Sequence, residues 1–258
     1  MHRHFDGERF HLEYKEDRID RELLWESHCH AEFELISVLE GDVSIILEGF
    51  PYRLTDHCTA IVSPLRYHTI RANRHGSYRR ITALFDLSAV PEVLRPHFLH
   101  KDASLPIFSS DAAKELRTVA LSDDPAFYAP LTDGLMIRLL YGDAAAGRGS
   151  EPQEIDETLG ALLAYVNAHI GEQITLSDLA VHVARSSSAV SHLFREKMGV
   201  SPKQYILQKK LALAEQMIRS GMPPTVAAVE IGYDNYSNFY RMYKKQLGVS
   251  PSDRRSSI

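Results

Sequence analysis

Two groups of residues have the types and spacing to do chemistry. The first is repeated. Phe194-Arg195-Glu196-Lys197-Met198-Gly199-Val200-Ser201-Pro202 returns as Tyr243-Lys244-Lys245-Gln246-Leu247-Gly248-Val249-Ser250-Pro251. Before these, Leu179-Ala180-Val181-His182-Val183-Ala184 corresponds to Ala227-Ala228-Val229-Glu230-Ile231-Gly232. The offset is 48 before the turn and 49 after it, so the second copy has one extra residue in its turn. Each copy reads as a short helix, a tight turn and a second helix starting near Ser187 or near Asn235. Val190, Leu193 and Phe194, and Phe239, Met242 and Tyr243, supply the buried faces. The other faces carry Ser187, Ser188, Ser191, His192 and Arg195, and Asn235, Tyr236, Ser237, Tyr240, Arg241 and Lys244. Short polar groups near a helix N-terminus suit base edges and cations suit phosphates, which is the chemistry of a helix lying in a major groove.

The second group is Trp25-Glu26-Ser27-His28-Cys29-His30-Ala31-Glu32-Phe33-Glu34. In an extended segment alternate side chains share a face, so His28, His30 and Glu34 point one way and Cys29 the other. Strict alternation also turns Glu32 toward the same face.

These residues need elements to hold them. The segments Phe33–Leu39, Val43–Leu47, Thr59–Val62, His68–Ala72 and Arg80–Phe85 read as short strands, with turn signals at Glu40-Gly41-Asp42 and Glu48-Gly49-Phe50-Pro51. That spacing suggests a β-sandwich or barrel. Residues 111–121 and 129–141 read as helices, and 142–152, glycine-bearing and poor in large apolar groups, as a linker. From Ile155 onward the pattern is helical. Thr175 and Asp178 form a capping-box-like start, and Gly232 suits a turn with positive φ. Ser201 and Pro202 open a helix that reaches Arg219, 18 residues or about 27 Å; successive major grooves on one DNA face lie ~34 Å apart.

The chain has 258 residues, 44% hydrophobic and 24% charged, which excludes a mainly disordered or collagen-like chain. No apolar run approaches the ~20 residues of a membrane-spanning helix, and Met1 to Asp6 show no secretion signal. Two cysteines, Cys29 and Cys58, make no disulfide framework, so a cytoplasmic location is expected. Net charge is −5 overall, but +5 over 172–258 and −10 over 1–171. A basic end beside an acidic front suggests a polyanion partner for the last third.

The segment Ile174–Arg254 resembles the paired helix-turn-helix domain of AraC/XylS-type transcriptional regulators. The matching residues include Leu176, Leu179-Ala180, Ser186, Leu193-Phe194, Gly199, Ser201-Pro202 and Tyr205, then Ala228, Ile231-Gly232-Tyr233, Phe239, Tyr243-Lys244-Lys245 and Gly248-Val249-Ser250-Pro251. Upstream, His28, His30, Glu34 and Gly41 resemble the first cupin motif, and Ser63-Pro64-Leu65-Arg66-Tyr67-His68 an eroded second one. The resemblance implies an α+β chain: a cupin-like effector-binding barrel over 1–110, two dimerisation helices and a linker over 111–152, and a paired helix-turn-helix DNA-binding domain over 153–258. It also implies a divalent metal on His28, His30, Glu34 and His68, or a small-molecule effector of sugar type beside Trp25 and those four residues. The implied partners are promoter DNA, a second copy of the chain and RNA polymerase. The alternative is a metal-dependent cupin enzyme, an isomerase or dioxygenase, with a helical appendage.

Overall fold

The computed structural model describes residues 1–20, 25, 27–98, 107–109, 111–146 and 156–255. Strands β1 (His2–Asp6), β2 (His11–Ile19), β3 (Phe33–Glu40), β4 (Val43–Leu47), β5 (Phe50–Leu54), β6 (Cys58–Val62), β7 (His68–Ala72), β8 (Gly76–Phe85) and β9 (Ile107–Ser109) fill the first part. They form two antiparallel sheets, ordered β1-β2-β8-β3-β6-β9 and β5-β4-β7. Among the described residues no closed barrel results. Ile36, Val38, Ala60, Val62 and Tyr78 of the larger sheet pack against Val43, Ile45, Tyr52 and Leu54 of the smaller one. Two facing sheets bury their inner faces against each other.

The other face of the larger sheet is covered as well. Helices α1 (Arg95–Phe98), α2 (Ala112–Ala120) and α3 (Ala129–Ala146) pack Phe98, Leu116, Val119, Leu135, Met136, Leu139 and Leu140 onto Phe33, Leu35, Ile81 and Phe85. Strand β3 is therefore buried without a break from Leu35 to Leu39, Ser37 included, because both of its faces are covered. Leu135 and Leu139, on the second of the two helices expected to mediate dimerisation, lie wholly in this core. Helix α3 also runs through the expected start of the linker. A Cβ on Gly142 would lie 3.1 Å from the Phe108 ring, so this glycine permits a close helix–strand approach and does not break the helix. The rest of the expected linker, 147–152, lies outside the described residues.

The last part is helical: α4 (Glu157–Ala168), α5 (Leu176–His182), α6 (Ser187–Met198), α7 (Pro202–Arg219), α8 (Pro224–Glu230), α9 (Tyr236–Leu247) and α10 (Pro251–Arg255). Caps explain the boundaries. Thr175 and Asp178 close a capping box, the side chains of Ser186, Ser201 and Asn235 accept from backbone N–H groups three residues on, and Gly199 and Gly248 end α6 and α9 at φ 73° and 74°. Four residues, 183–186, join α5 to α6 and five, 231–235, join α8 to α9, which is the extra residue seen in the repeat. Helix α7 is shared. Its Tyr205 and Ile206 pack with Leu159, Leu162, Leu179, Val190 and Phe194, whereas its Leu211, Ala214 and Ile218 pack with Ala228, Ile231, Phe239 and Tyr243.

Candidate functional site

Helices α6 and α9 are each pinned by buried residues, Val190, Phe194 and Met198 on one and Phe239 and Tyr243 on the other. Leu193 and Met242 are half-buried beside them. The opposite faces are open. Ser187, Ser188, His192 and Arg195 on α6, and Tyr236, Ser237, Arg241 and Lys244 on α9, are exposed, with Ser191 and Tyr240 half-buried. Asn235 is exposed too, but its side chain is engaged as the α9 cap, accepting from the Asn238 N–H at 3.1 Å. Two contacts pre-orient the polar groups. His192 Nδ1 lies 3.5 Å from Glu196, and Arg241 donates to Asn238 Oδ1 at 2.6 Å. Asn238 was not picked out from the sequence; its place one turn before Arg241 was the available signal.

The structure brings His28, His30, Glu34 and His68 together, with ligating atoms all within 4.8 Å of one another. It does so by a different route from the one expected. Strand β3 begins only at Phe33, so His28 and His30 lie on the approach to it. His28 instead bridges to the first residue of β7, exchanging backbone hydrogen bonds with His68 at 3.0 and 2.9 Å. The Leu65 N–H donates to the His30 carbonyl at 2.9 Å and holds the next loop against it. The cluster therefore sits where the two sheets meet, His68 from the smaller sheet facing Glu34 from the larger. Its His28 side is open to solvent, while His68 is buried.

Hydrogen bonds fix the imidazoles. Nδ1 of His30 lies 3.0 Å from the Glu32 carbonyl and Nδ1 of His68 lies 2.8 Å from the Arg66 carbonyl. Carbonyls only accept, so both Nδ1 atoms carry hydrogen and both Nε2 atoms turn inward, 3.3 and 2.7 Å from Glu34 Oε2. Burial works against ionised Glu34, but the hydrogen bonds from His30 and His68 win and hold its carboxyl well below the usual carboxylate range. Burial likewise opposes charge on His68, and Glu34 outweighs it, so the His68 pKa is raised. The donor set fits a divalent metal: two Nε2 atoms whose Nδ1–H groups are held by carbonyls, a third imidazole and an ionised carboxylate.

Other residues singled out from the sequence make contacts of their own. Trp25 is half-buried against the inter-sheet core, its ring 5.6 Å from Tyr78 and its backbone N–H donating to the Ile70 carbonyl. Glu32 pairs with Arg219 of α7. Cys29 is half-buried beside the Gln208 carbonyl, and desolvation pushes its thiol up to about 12. Sequence reasoning missed Glu48. It sits with Gly49 in a two-residue hairpin turn, both at positive φ, and its buried carboxylate meets α7. Tyr205 Oη donates to it at 2.6 Å, Lys209 Nζ at 3.0 Å and the Tyr67 N–H at 3.0 Å. A residue 161 positions from its partner leaves no local signal.

Residues 179–257 match a family described as a helix-turn-helix domain. The uncharacterised HTH-type transcriptional regulator YobQ of Bacillus subtilis is 25% identical over 244 residues, covering 91% of this chain and 90% of that protein. The arabinose operon regulatory protein of Escherichia coli is 27% identical over 128 residues, 49% of this chain and 44% of that regulator. The crystal structure of ToxT from Vibrio cholerae aligns over 96% of this chain and 99% of that one, at 11% identity and a TM-score of 0.43.

Proposed function

We propose that the chain is a DNA-binding transcriptional regulator of the AraC type, like the regulators it resembles, and that its two halves divide the work. The residues 153–258 act as a paired helix-turn-helix domain. Helices α6 and α9 enter successive major grooves, and α7 sets their spacing at about 27 Å of helix against a ~34 Å groove repeat. Ser187, Ser188, Ser191 and His192 meet base edges at one half-site, and Tyr236, Ser237, Tyr240 and Arg241 at the other. Arg195 and Lys244 meet phosphates, while Asn235 orders the start of α9 as its cap. The observation that carries this reading is the pair of exposed polar faces at repeat-related positions on two identically capped helices. The relatives are regulators, and nothing supports the enzyme alternative.

Residues 1–110 act as a cupin-like sensor, with the effector at the junction of the two sheets. If a divalent ion is resident there, His28, His30, Glu34 and His68 hold it, and it supplies an electrophilic anchor for a hydroxyl- or carboxylate-bearing effector. The protein's own groups do the rest: the Glu32 and Arg66 carbonyls orient the imidazoles, and the open His28 side admits the ligand. An effector changes DNA binding only if it prefers one arrangement of the two halves. The Glu48 contact supports such coupling, because Tyr67, next to His68, donates to Glu48 and stacks edge-on against Tyr205 of α7 at 5.3 Å.

Residues 111–152 mediate a homodimer. The candidate face is the exposed stripe of Leu131 and Tyr141 on α3 with the neighbouring Phe127, in place of the buried Leu135 and Leu139. RNA polymerase in the cytoplasm is the further partner of such a regulator. The test is selection of genomic fragments with the purified full chain. Enriched sites carrying two half-sites one turn, about 10–10.5 bp, apart per chain support the reading. No enrichment, or a single half-site, overturns it.

A further inference from the structure

A second group of metal-ligating side chains lies on the outer edge of the larger sheet, on elements the regulatory reading does not use. His2 and His4 alternate onto one face of β1, and Glu13 of β2 is paired directly with His4 in the strand register. Arg3 and Phe5, between and after them, point the other way, while Asp6, further along the same face, pairs with His11 at 3.1 Å. Phe5 is in the core, and Arg3 donates to the Ala120 and Ser122 carbonyls at the end of α2. The two outward imidazoles converge on one oxygen. His2 Nε2 and His4 Nδ1 each lie 3.5 Å from Glu13 Oε1, their rings 4.6 Å apart. The ligating atoms of the three residues all fall within 4.8 Å of one another.

We propose that His2, His4 and Glu13 form a surface site for a divalent transition metal, Zn²⁺, Ni²⁺ or Cu²⁺, that clamps the edge strand β1 onto β2. Two imidazoles and one carboxylate are a donor set these ions accept, with water completing the coordination on the solvent side. The carboxylate is already oriented for it. Its other oxygen, Oε2, is held by Lys15 and by Thr82 Oγ1 at 3.4 Å, which leaves Oε1 toward the histidines. No backbone movement is needed, since strand pairing has fixed both sides. The clamp acts on a strand whose following turn is tied to α3, where the Asp133 carboxylate accepts from the Glu8 and Arg9 N–H groups at 3.0 and 3.2 Å. Metal at this edge therefore stiffens the β1–β2 hairpin and its seat on α2 and α3.

The test is Zn²⁺ titration of the full chain, free of any affinity tag, by calorimetry. The parent should bind one more equivalent than His2→Gln/His4→Gln, whose substitutions lie on the exposed face and leave the far-UV spectrum unchanged. Glu13→Gln should weaken that equivalent at least about tenfold. Comparing the two stoichiometries separates this site from the His28–His30–Glu34–His68 cluster, which the double variant keeps. Equal stoichiometry and affinity in parent and double variant overturn the proposal, as does a parent that binds no Zn²⁺.

Discussion

Lys209, midway along α7, donates to Glu48 at 3.0 Å, and this ion pair is the polar centre of the contact between the sheets and the helical part. Both side chains are less than a tenth exposed. Lys209 also donates to the Leu65 carbonyl at 2.6 Å, and Glu48 accepts from Tyr205 and Tyr67, so both charges are paired and further hydrogen-bonded. Removing one partner strands the other charge in the interior. Lys209→Met should therefore cost about 3–5 kcal/mol of stability, whereas Lys209→Met with Glu48→Met should cost clearly less than the sum of the two single variants. Urea denaturation of the four proteins measures the coupling. Additive single and double variants would mean that Glu48 and Lys209 do not act as a pair.

This contact marks what the sequence could not disclose. The repeat announced α5 to α9 because caps, glycine C-termini and spacing are local. The four-residue cluster was legible for a different reason than the one read: its members converge through a His28–His68 bridge between sheets, not along one strand. Strand β2 escaped notice because its buried Leu12 and Tyr14 alternate with charged residues over a short span. Strand β5 was hidden by Phe50-Pro51, where proline reads as a turn but is tolerated beside an edge. The apolar stripe of α3 gave the helix but not its direction, since intrachain cores and subunit interfaces use the same residues.

The His68–Glu34 pair should leave a pH signature. A raised imidazole pKa contributes stability that is complete below its unfolded value, near ~6.5, and is lost as pH rises through the higher folded value. A depressed carboxylate contributes stability that is complete above ~4.3 and is lost as pH falls through its folded value. The pair is strongest between these limits. In the presence of a chelator, His68→Gln should cost about 1–3 kcal/mol near pH 5.5, and its gap from the parent should narrow as the pH is raised above 6.5 through the folded His68 value. Denaturation curves across that range decide it. A constant gap would show that His68 contributes packing and not charge.

The two turns of the repeat invite opposite substitutions. Ala184 and Gly232 are equivalent positions with left-handed backbones, at φ 51° and 80°. A Cβ is strained in this region by about 1 kcal/mol or more. Ala184→Gly should raise stability by about 0.5–1 kcal/mol, strain relief exceeding the added entropy of the unfolded chain. Gly232→Ala should be more harmful than strain alone suggests, because its Cβ would lie 2.6 Å from the Gly171 carbonyl oxygen and 3.2 Å from Lys210 Nζ. Lys210 there donates to the Glu172 and Ile231 carbonyls, so the clash would disturb the joint between the two repeats. Thermal unfolding of both variants checks the contrast; a destabilised Ala184→Gly would refute the strain argument.

The reading faces make separable predictions about DNA. Ser191 and His192 lie on α6 and Tyr236 and Arg241 on α9; Ser191 is half-buried and the other three exposed, and none belongs to the cores beneath. Alanine at any of them should leave the fold intact. A base-edge contact is worth about 1–3 kcal/mol, so each variant should weaken binding to a selected site by roughly tenfold or more and relax sequence preference at its own half-site only. Ser191→Ala and His192→Ala should affect one half, Tyr236→Ala and Arg241→Ala the other, because the helices belong to different repeats. Lys244 in the last turn of α9 should behave differently. As a phosphate contact it carries no sequence information, so Lys244→Ala should weaken all sequences alike and lower the slope of log K against log salt by about one. Footprints and salt titrations on the same DNA distinguish the two classes. Parent-like footprints from all four face variants would mean that α6 and α9 do not present these faces to the grooves.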